Sequence, residues 1–261
     1  MKTATSSGIK WNLDPIYQGF DHPGYKRDKE LLQKEISRFS ALLAGQNDQA
    51  DQGGYLSSLL AFYNRIEDLY ENLNSYAYSR YSADTNDAES VREINALEEI
   101  GVKLTDCIVG FRNALASMKA DLNCLLDSNQ DLKRYAFFIN EQIFHTSRQM
   151  EPTLENLAAD LKRSGADAWS RMQEALISNT HAVWDEATGE RKTVTELRTL
   201  AHSPDRAVRK KAFEKEREAL KDREIPFAAA LNGVKGAALT LDARRGFASS
   251  LERSIVQSRI T

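Results

Sequence analysis

Tyr55-Leu-Ser-Ser-Leu-Leu-Ala-Phe-Tyr-Asn-Arg-Ile-Glu-Asp-Leu-Tyr-Glu-Asn-Leu-Asn-Ser-Tyr76 contains neither proline nor glycine. Leu59, Phe62, Ile66, Leu69, Leu73 and Tyr76 recur in it at intervals of three and four. That spacing puts them on one stripe of an α-helix, with Asn, Glu and Arg opposite. The helix is expected over about 54–82. A stripe this long asks for helical neighbours. Two are predicted: about 25–44, with Leu32, Ile36, Phe39 and Leu43, and about 87–119, with Leu97, Leu104, Ile108, Phe111, Leu115 and Met118. Gly45 stops the first. Asp84-Thr-Asn-Asp87 reads as the turn before the third, with short polar side chains that can cap it. The fold class that follows is mainly α, an antiparallel bundle of long helical hairpins.

The second helix is rich in tyrosine, with Tyr55, Tyr63, Tyr70, Tyr76, Tyr78 and Tyr81. Such a stripe is either core with hydroxyls at the rim or a surface on which a ligand stacks, and core is the commoner case. Ahead of the bundle, residues 1–23 read as irregular, and Trp11, Leu13 and Ile16 are expected to dock this arm on the helices. Gln46–Gly54 reads as a loop. Beyond the bundle, residues 131–146 form a helix with Tyr135, Phe138, Ile139 and Ile143 inward. Thr153–Arg163 and Ala166–Ile177 are shorter helices broken at Ser164-Gly165.

The period then changes. Thr180-His-Ala-Val-Trp-Asp185 and Arg191-Lys-Thr-Val194 flank Glu186-Ala-Thr-Gly-Glu190, which predicts one small β-hairpin over about 180–194. A short helix from Thr195 to Ala201 follows. Ser203-Pro204-Asp205 has the form of a helix start with Ser203 as N-cap. Val208, Ala212, Phe213, Ala219 and Leu220 are its expected buried side. From Pro226 a further helix turns Phe227, Ala230, Leu231, Val234, Ala238 and Leu241 inward, with Gly233 and Gly236 permitting close approach. Asn232 needs a partner if it is buried. The chain divides into an arm with long hairpins, 1–125, and a second region, 126–261.

Composition excludes several classes. Of 261 residues, 41% are hydrophobic and 28% charged, as in a folded soluble chain. Basic and acidic residues number 35 and 38, for a net charge of −3. Such interspersed signs give no reason to expect nucleic acid or an anionic membrane as partner. Arg206–Arg223 is dense in base, but Asp205, Glu214, Glu216, Glu218 and Asp222 are interleaved, so intrahelical ion pairs are expected. Cys107 and Cys124 lack the paired spacing of a disulfide framework or zinc knuckle. Met1–Ser7 lacks the apolar stretch of a secretory signal, and no apolar run approaches the roughly 20 residues that span a bilayer. A cytoplasmic location follows.

Chemistry-bearing motifs are scarce. The histidines are His22, His145, His181 and His202, none within five residues of another. A zincin needs two histidines one helical turn apart with a glutamate between them, and no such set occurs. Glu141 and His145 share a helical face and read as a hydrogen-bonded surface pair. Neither a phosphate-binding loop nor a Gly-x-Ser-x-Gly elbow is present.

One ordered set of segments carries a resemblance. Ser203-Pro-Asp-Arg-Ala-Val-Arg-Lys-Lys-Ala-Phe213, Ala229-Ala-Leu-Asn-Gly-Val-Lys235 and Arg244-Arg-Gly-Phe-Ala-Ser-Ser-Leu-Glu-Arg-Ser254 follow Trp11-Asn-Leu-Asp-Pro-Ile-Tyr17 and Ala168-Trp-Ser-Arg-Met172. In this order they resemble the oligoendopeptidase F branch of the thimet-oligopeptidase-like zinc peptidases. The resemblance implies helices forming one wall of a deep channel, upstream of a catalytic domain that carries His-Glu-x-x-His. Zinc is implied for the full-length parent and no cofactor for this chain, which has no His-Glu-x-x-His. Short peptides are the implied substrates and the C-terminal catalytic domain the implied partner.

The β-hairpin resembles a strand pair near the family's cleft, which makes His181, Val183 and Trp184 candidate cleft residues; a hairpin that merely caps the bundle is the alternative. Arg244, Arg245, Gly246 and Phe247 match a family segment, with Gly246 as a turn position and the arginines as interdomain or structural contacts. The expectation is an N-terminal part, inactive alone. The competing reading is a free-standing helical adaptor that keeps the fold without the chemistry. Leu251, Ile255 and Ile260, leading to Thr261 without terminal punctuation, favour an interrupted element whose exposed apolar surface drives association.

Overall fold

Two compact units, residues 1–142 and 143–261, make up the computed structural model, which describes residues 11–45 and 51–260. The N-terminal stretch Met1–Ser7, the predicted loop residues Gln46–Ala50 and Thr261 lie outside the described residues.

In the first unit, α1 (Pro23–Ala44), α2 (Gln52–Ala83) and α3 (Ala88–Ser117) pack pairwise. At 1.5 Å per residue the latter two are about 45–48 Å long. Each end has a local cause. His22 Nδ1 accepts from the Gly24 amide at 3.2 Å, with Pro23 in the first turn of α1, and Gly45 closes that helix with its N–H on Ala41 O. Asp51 accepts from the Gly54 amide at 2.9 Å, so Gln52–Gly54 are the first turn of α2 rather than loop. Asp87 caps α3, accepting from the Glu89 amide at 3.1 Å and the Ser90 hydroxyl at 2.6 Å.

The predicted stripes meet in this unit's core: Leu32, Ile36 and Phe39 of α1, Leu59, Ile66, Leu73 and Tyr76 of α2, and Leu97, Leu104, Phe111 and Leu115 of α3 are buried. The tyrosines are mainly core as well. Tyr55, Tyr76 and Tyr81 are buried, and the Tyr63 ring packs 5.1 Å from both Phe111 and Phe138.

The arm docks, but mainly through other residues than expected; of Trp11, Leu13 and Ile16 only Leu13 is half-buried. Trp11 is 92% exposed and Ile16 48%, whereas Tyr17 and Phe20 are buried. Their rings lie 5.2–5.4 Å from Tyr25 and Tyr76. The Tyr17 hydroxyl donates to Asp28 at 3.0 Å, and Arg80 lies 4.7 Å over the Phe20 ring. Aromatic rings on both sides of the join favour edge-to-face packing, a preference that the spacing of Trp11, Leu13 and Ile16 does not reveal. The helix expected at 131–146 is two, α5 (Gln130–Lys133) and α6 (Ala136–Ser147), preceded by α4 (Leu122–Ser128). The break falls at Arg134–Tyr135, and Asn129, between α4 and α5, caps α5.

The second unit holds α7 (Pro152–Ser164), α8 (Ala166–Ser178), β1 (His181–Asp185), β2 (Glu190–Thr193), α9 (Val194–Thr199), a 3-10 turn (Leu200–His202), α10 (Arg206–Lys221), α11 (Glu224–Arg244) and α12 (Ser250–Gln257). α8 packs against α7 and α11, and α10 against α9 and β1. The α10 N-cap is Asp205, not Ser203: its carboxylate accepts from the Ala207 amide at 2.8 Å, and Ser203 Oγ accepts from Asp205 N. Two residues expected inward are out, Phe213 and Leu231, each 57% exposed, and Asn232 is exposed and needs no buried partner. The exposed large apolar side chains concentrate here; among the described residues the first unit exposes only Trp11, Ile16 and Phe137. The architecture is mainly α with one small antiparallel hairpin, as the periodicity indicates.

Candidate functional site

The hairpin is built locally. Gly189 takes φ +71°, a backbone state that suits glycine, and Asp185 accepts from the Ala187 amide at 2.8 Å. That bond, with help from the Thr188 hydroxyl, holds the Asp185 carboxyl below the usual carboxylate range. β2 runs into α9 through a capping box. Thr193 Oγ1 accepts from the Glu196 amide at 3.1 Å, and Glu196 accepts in return from Thr193 N at 2.7 Å. The Thr193 N–H is the main reason that the Glu196 carboxyl is lowered.

β1 and β2 pair antiparallel, His181 with Thr193, Ala182 with Lys192 and Val183 with Arg191, and the register slips between Val183 and Asp185. Ala182 is buried with Leu197 and Ala212, and Trp184, Leu200 and Ala219 pack around them. Trp184 thus belongs to the inner face. Lys211 of α10 lies 4.4 Å and Lys192 5.6 Å from its ring centroid. His181 is exposed, with Nδ1 3.0 Å from Asn179 O. Val183, one position from Ala182, faces away from the inner cluster by the alternation of a strand. The three candidate cleft residues therefore divide between the two faces. The two-stranded sheet leaves an outer edge on each strand.

A second constellation surrounds Arg244–Phe247. Arg244 is exposed at the end of α11. Arg245 grips the buried Glu155 twice, Nη2 to Oε2 at 2.6 Å and Nε to Oε1 at 3.1 Å, and the Met150 amide donates to Glu155 Oε1 at 3.0 Å. Gly246 takes φ +73° in the turn after α11. Arg148 donates to its carbonyl, pairs with Glu252 at 3.0 Å and lies 5.1 Å over the Phe247 ring. The buried Asp242 accepts from Ser250 at 2.6 Å and pairs with Arg253 at 3.2 Å. The turn is clasped by three arginine–carboxylate pairs. Glu155 and Arg245 stand 90 positions apart, so no local pattern announces them.

α10 carries the anticipated intrahelical pairs, Lys210–Glu214 at 3.8 Å and Lys215–Glu218 at 3.4 Å. Cys107 is buried and Cys124 exposed, and burial pushes the Cys107 thiol up to about 11. No described helix is long and apolar enough to cross a membrane.

Comparison with known proteins gives these features a context. Residues 115–180 match the family model described as Oligopeptidase F. No curated protein matches the chain. Among solved structures, the chain is similar to oligoendopeptidase-F from Enterococcus faecium, with a TM-score of 0.69 and 16% identity over 89% of this chain and 48% of that one. It is also similar to PZ peptidase A bound to an inhibitor, with a TM-score of 0.61 and 17% identity over 87% of this chain and 38% of that one. The chain thus spans less than half the length of these relatives.

Zinc, which such a family implies, finds no fitting residues here. His22 is occupied as the α1 cap, the four histidines lie on separate elements, and no group of three or more His, Cys, Asp or Glu converges among the described residues. The chain has the fold of the N-terminal portion of oligoendopeptidase F-like peptidases and carries the Oligopeptidase F sequence signature over residues 115–180.

Proposed function

We propose that this chain is the N-terminal, substrate-channel part of a zinc-dependent oligoendopeptidase that hydrolyses short peptides. The observation that carries the reading is the fold likeness to oligoendopeptidase-F over 89% of the chain, joined to the family match at 115–180. In this reading the long helices form one wall of a channel too narrow for a folded domain. Extended peptides enter, and folded proteins do not. Metal and base come from the part of the relatives' length that this chain does not span, and the enzyme works in the cytoplasm. The His181–Asp185 strand offers an edge along which an extended peptide can add by backbone hydrogen bonds. Val183 lies on its outward face, and Trp184 supports it from beneath.

The test uses the 261-residue chain with an internally quenched peptide of about ten residues and added zinc. No hydrolysis is expected. Hydrogen exchange in the presence of unlabelled peptide should slow at 181–185. Chelator-sensitive cleavage by this chain alone would overturn the assignment of the metal to the remaining part. Unchanged exchange at β1 would remove the hairpin from peptide binding.

A further inference from the structure

α10 and α11 are joined by the short turn at Asp222–Arg223, yet each packs mainly elsewhere, α10 on α9 and β1 and α11 on α8. Between them lies an open groove of about 900 Å³. Its floor is apolar, with Leu220 from α10 and Phe227, Ala228 and Leu231 from α11. Leu231 is more than half exposed. The rim on α10 is Glu214, Arg217, Glu218 and Lys221. The spacing i, i+3, i+4, i+7 puts these four on one stripe of the helix.

Their order carries the argument. An antiparallel copy of α10, related by a two-fold axis midway between residues 217 and 218, sets position 214 opposite 221 and 217 opposite 218. Glu214 then faces Lys221 of the other copy, and Arg217 faces Glu218. Each of the four α10 charges meets its opposite, which is the self-complementarity that a two-fold interface requires; Glu224 of α11, which also lines the groove, is exposed and lies outside this stripe. A parallel copy in register would set each charge against its like. The present partners of the acids do not compete strongly: Lys210–Glu214 at 3.8 Å and Lys215–Glu218 at 3.4 Å are pairs within one helix whose acids are both exposed.

We propose that the α10–α11 groove is a self-association surface, and that its occupant is α10 of a second copy of this chain. The dimer is isologous. Leu220, Phe227 and Leu231 lose water at its centre, and the Glu214–Lys221 and Arg217–Glu218 pairs set the antiparallel direction at its rim. The surface lies on the far side of α10 from the hairpin, because β1 and α9 already occupy the face that carries Ala212. Association therefore leaves the β1 edge accessible.

The experiment is sedimentation equilibrium of the full chain over about 1–200 μM, with circular dichroism confirming that each variant is folded. A dimer is expected. Lys221→Glu replaces two attractive rim pairs by two repulsive ones and should weaken association about tenfold or more. Glu214→Lys should do the same. The double variant, Glu214→Lys with Lys221→Glu, restores opposite charges across the two-fold and should bring the dimer back. Leu231→Asp should abolish it. A monomer at every concentration would overturn the proposal and leave the groove to a different helical partner. So would a dimer indifferent to these changes, or one that the double swap fails to restore.

Discussion

Two glycines on one helix, three residues apart, should answer the same substitution with opposite signs. Replacing glycine by alanine inside an α-helix gains about 0.5–1 kcal/mol, because the unfolded chain loses freedom it no longer has to give up on folding. At Gly236 of α11 a new Cβ meets nothing within 4 Å, so Gly236→Ala should keep that whole gain. At Gly233 the new Cβ would stand 2.5 Å from Trp169 Cδ1, 2.6 Å from Nε1 and 2.8 Å from Cγ. Ordinary contact begins near 3.4 Å, so the indole must retreat by about 1 Å, or α8 must move with it. Overpacking of this kind costs about 1–3 kcal/mol. Set against the helix gain, Gly233→Ala should be destabilising by about 0–2 kcal/mol, and the two variants should differ by about 1–3 kcal/mol.

At about 4 °C per kcal/mol for a unit of this size, their midpoints should separate by roughly 4–12 °C in a thermal melt followed by circular dichroism. A Trp169→Ala background opens the space above Gly233, so there the two alanines should behave alike. If Gly233→Ala raises the midpoint as much as Gly236→Ala with Trp169 intact, the indole does not close on that glycine and the α8–α11 packing is wrong.

Breaking the Glu155–Arg245 pair should be costly in one direction only. Arg245→Met leaves the buried Glu155 carboxylate without its arginine and should cost about 2–3 kcal/mol in urea unfolding, below the usual range for buried pairs because Arg245 is a quarter exposed. Glu155→Leu combined with Arg245→Met should recover most of it; equal losses in single and double variants would count against the clasp. Tyr17 and Tyr63 should ionise late. Burial, aided for Tyr17 by its bond to Asp28 and for Tyr63 by the Glu67 charge, pushes each up to about 12 against roughly 10 in an unfolded chain. The folded state then holds the proton longer, so its advantage is complete below pH 10 and is lost as pH rises to about 12. Absorbance titration checks this, and tyrosine ionisation complete by pH 11 would refute it.

The helices of the first unit could be read from spacing because their cause is local. Leu59, Ile66 and Leu73 fall on one stripe whatever surrounds them, and Asp87 caps α3 from the adjoining turn. The hairpin was legible for the same reason, through the change of period at Thr180 and Gly189 in its turn. The arm illustrates the opposite case. Trp11 is the larger hydrophobe, but Tyr17 and Phe20 dock, since only they reach the Tyr25 and Tyr76 rings that α1 and α2 bring together. Phe213 and Leu231 kept the helical rhythm and are exposed nonetheless, because periodicity names a face without saying whether a neighbour covers it.

The candidate cleft residues were legible as a strand and as a family likeness. Their division between two faces was not, since it depends on where α10 lies and on the slip after Val183. Sequence by itself determined the helical class, the hairpin, most helix ends and the lack of a local zinc motif, all of which depend on residues within a turn or two of one another. Tertiary structure alone decided which ring fills which gap, that Glu155 holds Arg245 from 90 positions away, and that α10 and α11 leave a groove between them, because those contacts form only when distant segments are packed together.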